Sequence, residues 1–373
     1  NSTRKIMKKL IVFLAACLWF SSFSRAVIPP HILSQGITLQ QMAIGAFLTF
    51  ATQTTLFFFF QSFRAKRAWL IGIWASAVFV FGQVRIFHPY QFYAVSIING
   101  IGLYYYWIPY NIAYFQNTRS QHLGRNSGIM FSIYPLINIV APALAGFIAA
   151  YNIPLVWILS LVFFTISTLT LKPLQDFPVR FTVIAALKEI RHTRVLLVLE
   201  GIWEAVLFSL IPIYTLTFLK TPLSYASFNG YLALAGASAG LVLGRMTDKR
   251  GKRAFLLAPI VGIMAATTLL FPAANASFLI WMILTGTLSL IIPIFWNVTT
   301  AATINLHPKL SLVILGRELC LAFGRSIGLM LAVISFSRQP QPTTIYPVLA
   351  FVLVIYLGYL YWVKSVRKSY LIR

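Results

Sequence analysis

Twelve apolar stretches, each close to the roughly 20 residues that a bilayer core requires, run through this chain with short polar breaks between them. They lie near 8–29, 39–61, 68–84, 91–115, 128–150 and 153–171, then 195–218, 226–246, 254–271, 277–301, 312–336 and 345–363. Backbone polar groups inside hydrocarbon must be bonded within their own segment or in a closed barrel, so stretches of this length are predicted to be helices. A large soluble core is excluded by composition: 59% of residues are hydrophobic, only 10% are charged, and the mean hydropathy is +0.82. The fold class expected is an all-α membrane protein of 12 transmembrane helices in two six-helix bundles.

A net charge of +24 invites a nucleic-acid reading, which the positions of the basic residues exclude. Lysine and arginine collect before the first stretch and in every second connection after it. These sites are Arg4 to Lys9, Arg64 to Arg67, Arg119 and Arg125, Lys172 to Arg194, Arg245 to Arg253, Lys309 and Arg317, and the tail from Lys364. The alternate connections hold Arg85, Lys220 and Arg338. An excess of basic residues in short loops marks the cytoplasmic side, so both termini are expected there.

The first stretch follows basic residues, as a cleaved leader would, but Arg25 and the Pro29-Pro30 pair argue for retaining it as a span. Cys17 and Cys320 both fall inside apolar stretches, and the five histidines are scattered at stretch ends and in loops. Neither residue type has the spacing of a disulfide framework or a zinc site. No metal and no cofactor is expected. The longest basic connection divides the chain into residues 1–172, a linker at 173–194, and residues 195–373. Within the linker, Phe181, Val183, Ile184, Leu187 and Ile190 alternate with charged residues, which suits an amphipathic helix on the inner membrane surface.

One connection carries more than charge. Gly244, Asp248, Lys249, Gly251, Lys252 and Arg253 set a single carboxylate among basic groups in a tight turn. Gly236, Gly240 and Gly244 line one helix face before it with bare backbone. This glycine, aspartate and basic pattern after an even-numbered span resembles the cytoplasmic signature of the major facilitator superfamily. The match is complete in this copy, and span count, topology and central linker extend the resemblance along the whole chain. The resemblance implies a gating role for the six signature residues. It also has departures. The equivalent first-half loop, Phe60 to Arg67, is basic but lacks the glycines and the aspartate. Ser96 stands four residues before Gly100, where many proton-coupled members carry an arginine. Ala141 to Gly146 is similar to the glycine-proline element of antiporters, with alanine for its first glycine.

Charges inside the apolar stretches are few, and each costs roughly 2.5–3.5 kcal/mol on insertion scales. They are Arg25, Glu200, Glu204, Glu318 and Arg325. By the resemblance, the first, fourth, seventh and tenth spans line a central cavity, which makes Arg25, Glu200 and Glu204 candidate lining charges. Glu200 and Glu204 are four apart and share a helix face. Their repulsion in a partly dehydrated cavity allows one of them to hold a proton, and the deeper Glu204 is the expected carrier, with Glu200 close enough to Arg191 and Arg194 to be a helix-end partner. Glu318 and Arg325 are read as a structural pair or as coupling residues. Tyr104, Trp107 and Asn111 fall on one face of the fourth span, and Trp296 and Asn297 follow Pro293 in the tenth. Aromatic rings with polar tips beside amides suit a cavity for an organic solute.

These features together predict a monomeric secondary transporter in a prokaryotic cytoplasmic membrane. It moves a small organic solute by alternating access with proton coupling, and export is favoured. A proton-coupled nutrient importer is the rival within the class. A lipid flippase, a transporter-like sensor and a polytopic membrane transferase are rivals outside it. No acid or histidine cluster in the loops supports an enzyme, and the partners expected are the solute, H+ and the bilayer.

Overall fold

The computed structural model describes residues 2–117, 123–247, 253–304, 309–338 and 343–366. Helices occupy every one of the predicted stretches. Among the described residues, eight are long and apolar enough to cross a membrane by length and composition.

In the first half, α1 (Ser2–Arg25) breaks into α2 (Ile28–Ser34), where Pro29 and Pro30 start a new helix because they cannot continue the old one. The helix α3 (Leu39–Phe59) opens on a reciprocal cap. Gln41 N donates to the Thr38 hydroxyl at 3.2 Å, and Thr38 N donates to the Gln41 side chain at 2.9 Å. There follow α4 (Ala65–Phe81), α5 (Pro89–Gln116), α6 (Leu123–Tyr151) and α7 (Ile153–Thr170), the last capped by Asn152. The linker holds α8 (Val183–Glu189). The second half consists of α9 (Arg194–Trp203), a π-helical turn at Val206–Leu210, α10 (Ile211–Thr215), α11 (Pro222–Thr247), α12 (Arg253–Leu270), α13 (Phe278–Ile304), α14 (Leu310–Arg338) and α15 (Ile345–Val366).

Two helix pairs carry most of the contact between the halves: α6 with α11, and α3 with α14. Small residues permit this closeness. A side chain at Gly146 would run into Ala226 and the Pro222 carbonyl, so the element from Ala141 to Gly146 serves as the α6–α11 crossing. Gly236, from the glycine face of the eighth span, lies against Ser289 and Pro293 of α13. Within the second half, α9 and α14 touch backbone to backbone. Gly324 lies on the Val198 carbonyl and Gly201, and Gly328 lies on the Ile202 carbonyl and Ala205.

The linker is not a loose connection. Its start forms a two-stranded antiparallel ribbon with the chain between α3 and α4. Strand β1 (Ser62–Arg64) pairs with β2 (Pro178–Arg180), with Phe63 opposite Val179. Ala65 N donates to the Phe177 carbonyl at 2.9 Å and Phe181 N to that of Gln61 at 3.0 Å, extending the ribbon at both ends. Asp176 closes it: one oxygen meets Arg64 Nε at 2.6 Å and the other accepts from Lys66 N at 3.1 Å. Lys66 N is one of the donors left open at the start of α4, so the linker supplies from outside the carboxylate that the first-half loop lacks. These bonds hold the Asp176 carboxyl below the usual aspartate range, the backbone bond from Lys66 more than the Arg64 guanidinium. The far end of the linker packs on the second half. Ala186 and Ile190 lie against Gly316 of α14, and Ile190 joins Leu197, Val313, Cys320 and Leu321 in a small core. Thus α8 turns most of its apolar face to α14, and Ile184 remains exposed.

Of the second-half signature loop, Asp248, Lys249, Gly251 and Lys252 lie outside the described residues; Gly244 and Arg253 fall within α11 and α12.

Candidate functional site

The seventh span is broken where its chemistry lies. α9 ends at Trp203, Glu204 occupies the following turn, and the chain then widens into the π-helical turn before α10. Pro212, second in α10, has no N–H to give to the carbonyl one turn earlier, which is a reason for the ladder to slip here. Trp203 is anchored behind the break by donating to Thr268 of α12 at 3.0 Å. Glu200 and Glu204 therefore project from a fixed helix end, and both are buried, at 1% and 0% exposure.

Each carboxylate meets an arginine of α14. Arg325 Nε lies 2.6 Å from Glu204 Oε2, and Trp296 Nε1 of α13 donates to Glu204 Oε1 at 2.6 Å. The Arg325 guanidinium is stacked between two rings, 4.9 Å from the centroid of Phe208 in the π-helical turn and 5.4 Å from that of Phe50 in α3. It therefore stands at the seam between the halves. One turn back along α9, towards its Arg194 end, Arg317 Nη2 lies 3.9 Å from Glu200 Oε1, a gross attraction of about 4 kcal/mol at an effective dielectric of roughly 20. Thr299 donates to the same oxygen at 3.5 Å, at the limit of hydrogen bonding, while Glu200 Oε2 is buried without a partner.

Arg317 also reaches two other groups. Nη1 donates to Glu318 Oε1 at 3.1 Å and Nη2 to the Thr300 hydroxyl of α13 at 3.1 Å; Nε is buried and unpartnered. Glu318 Oε1 accepts a second bond, at 3.2 Å, from Asn111 Nδ2 of α5. That bond crosses between the halves. So three buried carboxylates, Glu200, Glu204 and Glu318, face two guanidiniums, Arg317 and Arg325. Among the described residues, one carboxylate of this low-dielectric cluster has no matching guanidinium.

The sequence-predicted residues divide accordingly. Glu200, Glu204, Glu318, Arg325, Asn111 and Trp296 come together. Arg325 pairs with Glu204 rather than with Glu318, because its position on α14 faces the break in the seventh span. Glu200 has Arg317 as its partner, not Arg191 or Arg194, because the glycine contacts press the buried face of α14 onto α9. Asn297 is half-buried beside Trp296. Three others lie apart. Arg25 donates to Asn99 Oδ1 at 2.6 Å and sits 4.9 Å from the Phe79 ring, among α1, α4 and α5 of the first half. Tyr104 is fully buried; its hydroxyl donates to the Phe60 carbonyl and its ring packs on Phe57 and Phe63. Trp107 packs edge-on against Tyr106 and Tyr110. Sequence reasoning does not single out Arg317, which reads as one of the basic residues flanking a connection. Its signal was its place eight residues before Arg325 on one helix face. Among the described residues, no cluster of histidine, cysteine or acids has the makings of a metal site.

Comparison with known proteins places this architecture. The profile of the Major Facilitator Superfamily matches residues 10–311. No curated protein matches the chain in sequence. Among solved structures, the human organic anion transporter MFSD10 (TETRAN) superposes with a TM-score of 0.69 at 12% identity, covering 96% of this chain and 100% of that one. A bacterial homologue of the iron transporter ferroportin, in an outward-facing state, gives 0.70 at 14% identity over 96% of this chain and 99% of that one. A POT family transporter in complex with a thioalcohol-conjugated peptide gives 0.70 at 12% identity, over 97% of each chain. All three are similar in fold. The profile match covers most of the chain, and the helical architecture agrees with it: the protein is an integral membrane protein that belongs to the major facilitator superfamily of secondary transporters.

Proposed function

We propose that this chain moves a small organic solute across the membrane by alternating access, coupled to protons, with twelve spans, both termini cytoplasmic and residues 1–172 rocking against 195–373. The observation that carries the coupling is the cluster of three buried carboxylates against two guanidiniums. One added proton makes it neutral, and neutrality is worth much where water does not screen.

Glu204 is the carboxylate the sequence favours as the carrier, for its depth. Its contacts argue for a different division of labour. Protonating Glu204 would break a 2.6 Å ion pair and leave Arg325 a buried, unmatched charge, at a cost of about 3–5 kcal/mol. Glu200 has a longer ion pair and one oxygen with no partner, so a proton placed there displaces little. Glu200 is thus the proton site, and the Glu204–Arg325 pair orders the wall of the solute path, where Phe50, Phe208 and Trp296 offer aromatic faces. Export is favoured on the element from Ala141 to Gly146. The signature loop from Gly244 to Arg253 serves gating at the cytoplasmic face.

The test is accumulation of a screened panel of organic solutes in proteoliposomes under an imposed pH gradient. Wild-type protein should move its solute with the gradient, and Glu200→Gln should lose gradient-driven accumulation while keeping solute exchange at equal pH. Unimpaired gradient-driven accumulation in Glu200→Gln sinks the assignment.

A further inference from the structure

We infer that Arg317 is a positioning residue that converts the protonation of Glu200 into release of the Asn111–Glu318 contact between the two halves. The inference rests on the proton-coupling reading above and deepens it.

The geometry supplies each link. Arg317 is shared between two carboxylates on different helices, Glu200 of α9 and Glu318 of α14, with Thr300 of α13 fixing one of its nitrogens. Glu318 Oε1 is shared in turn, accepting from Arg317 Nη1 and from Asn111 Nδ2. With Glu200 ionised, Arg317 is pulled both ways and holds Glu318 by a single nitrogen, which leaves the shared oxygen open to Asn111. When Glu200 takes a proton, that pull disappears. The guanidinium then turns wholly to Glu318, where Nη2, no longer drawn to Glu200, can join Nη1 in a two-pronged grip on the carboxylate. Glu318 Oε1 becomes the weaker acceptor for Asn111, whose own Oδ1 is already buried without a donor. The hydrogen bond between α5 and α14 loosens, and the ends of these helices nearest Asn117 and Leu310 are free to part. The proton stays on Glu200 throughout; what moves is one arginine side chain.

The other ionisable groups around this cluster do not compete for the role. Glu204 and Arg325 are matched to one another. Tyr356 of α15 faces Glu200, and a phenol does not ionise near neutral pH. Arg194 of α9, beside Cys320, is exposed at the helix start.

The measurement is the distance between spin labels at Gln116 and Lys309, exposed positions at the end of α5 and just before α14. Purified full-length protein in nanodiscs is used, with Cys17 and Cys320 replaced by alanine and no solute present. Between about pH 8 and about pH 5, the wild-type distribution should shift towards longer distances. Glu200→Gln should hold the longer distribution at every pH, and Arg317→Gln should remove the pH response. Should Arg317→Gln fail to fold, Arg317→Lys keeps the charge but not the two-pronged grip, and its response should fall at least about twofold. A wild-type distribution indifferent to pH, or a full response in either Arg317 variant, overturns the relay. The two ideas fail separately. If Glu200→Gln abolishes gradient-driven accumulation while the label distance never moves, only the relay is wrong; if accumulation survives Glu200→Gln, the coupling reading itself is wrong.

Discussion

The ion pair between Glu204 and Arg325 makes the most demanding claim on stability. Glu204 is fully buried and the Arg325 side chain 14% exposed, the pair is 2.6 Å long, and among the described residues their other partners are rings and one indole N–H. Glu204→Gln keeps an oxygen for Trp296 and nearly the same volume, so its cost falls on the arginine left without a counter-charge, about 3–5 kcal/mol. The stacking of Arg325 between Phe50 and Phe208 returns on the order of 0.5–2 kcal/mol at most. Arg325→Gln leaves a buried carboxylate instead and should cost a similar amount. The double variant removes both charges of the pair, so it should lose only about 1–2 kcal/mol where the single losses add to about 6–10 kcal/mol, a coupling energy of at least about 4 kcal/mol. In thermal unfolding of the detergent-solubilised protein, each single variant should lower Tm by about 6–10 °C and the double variant by about 2–4 °C. Additive effects, or a single variant within about 1 kcal/mol of wild type, would refute the idea that the pair is a matched charge in a dry site.

Two further outcomes follow from the packing and the linker. Gly328→Ala should destabilise by about 1–3 kcal/mol, because its methyl group would meet the Ile202 carbonyl and Ala205, whereas Gly358→Ala, with open space around it, should be neutral or stabilise by up to about 1 kcal/mol; thermal unfolding of both variants checks the contrast. Asp176→Ala should cost about 1 kcal/mol at neutral pH, through the lost cap of α4 and an exposed ion pair. The folded-state pKa of Asp176 lies below its unfolded value, so its contribution is whole above about pH 4 and is lost as pH falls through the lower folded value. The stability gap between wild type and Asp176→Ala should therefore close on acidification, and a gap that persists at about pH 2 would mean that the charge of Asp176 is not what fastens the ribbon.

What could be read from the sequence was whatever is periodic or local. Hydropathy placed the helices because each span must satisfy its own backbone. A four-residue spacing put Glu200 and Glu204 on one face, and the cost of burying charge singled out Glu318 and Arg325. Pairings were out of reach. Glu204 and Arg325 are 121 residues apart, Asn111 and Glu318 are 207 apart, and Arg64 and Asp176 are 112 apart. Arg317 was hidden for a different reason: near the end of an apolar stretch, a basic residue looks the same whether it points to solvent or back into the protein. The first-half loop misled by what it lacked. Its missing acid is supplied by Asp176 of the linker, and nothing local to Phe60–Arg67 announces that.

The strong and weak contacts are distributed in a way that suits a machine with two conformations. The Glu204–Arg325 pair and the glycine contacts of α9 with α14 all lie within the second half, so they can stay intact while the halves move. Among the described residues, the side-chain hydrogen bonds that cross the seam are lighter: Asn111 to Glu318 at 3.2 Å, and Thr54 to Ser326 at 3.2 Å. Hydrogen bonds of this kind are worth about 0.5–1.5 kcal/mol each when neutral and up to about 3 kcal/mol when one partner is charged. A transporter must cross between states separated by a few kcal/mol, and only contacts of that size can be made and broken by a solute or a proton. The Asn111–Glu318 bond is the stronger of the two because Glu318 is charged, and it is also the one within reach of Arg317. On the proposed coupling, a proton on Glu200 would act at the stronger of these two described contacts and leave untouched the ion pair that joins α9 to α14.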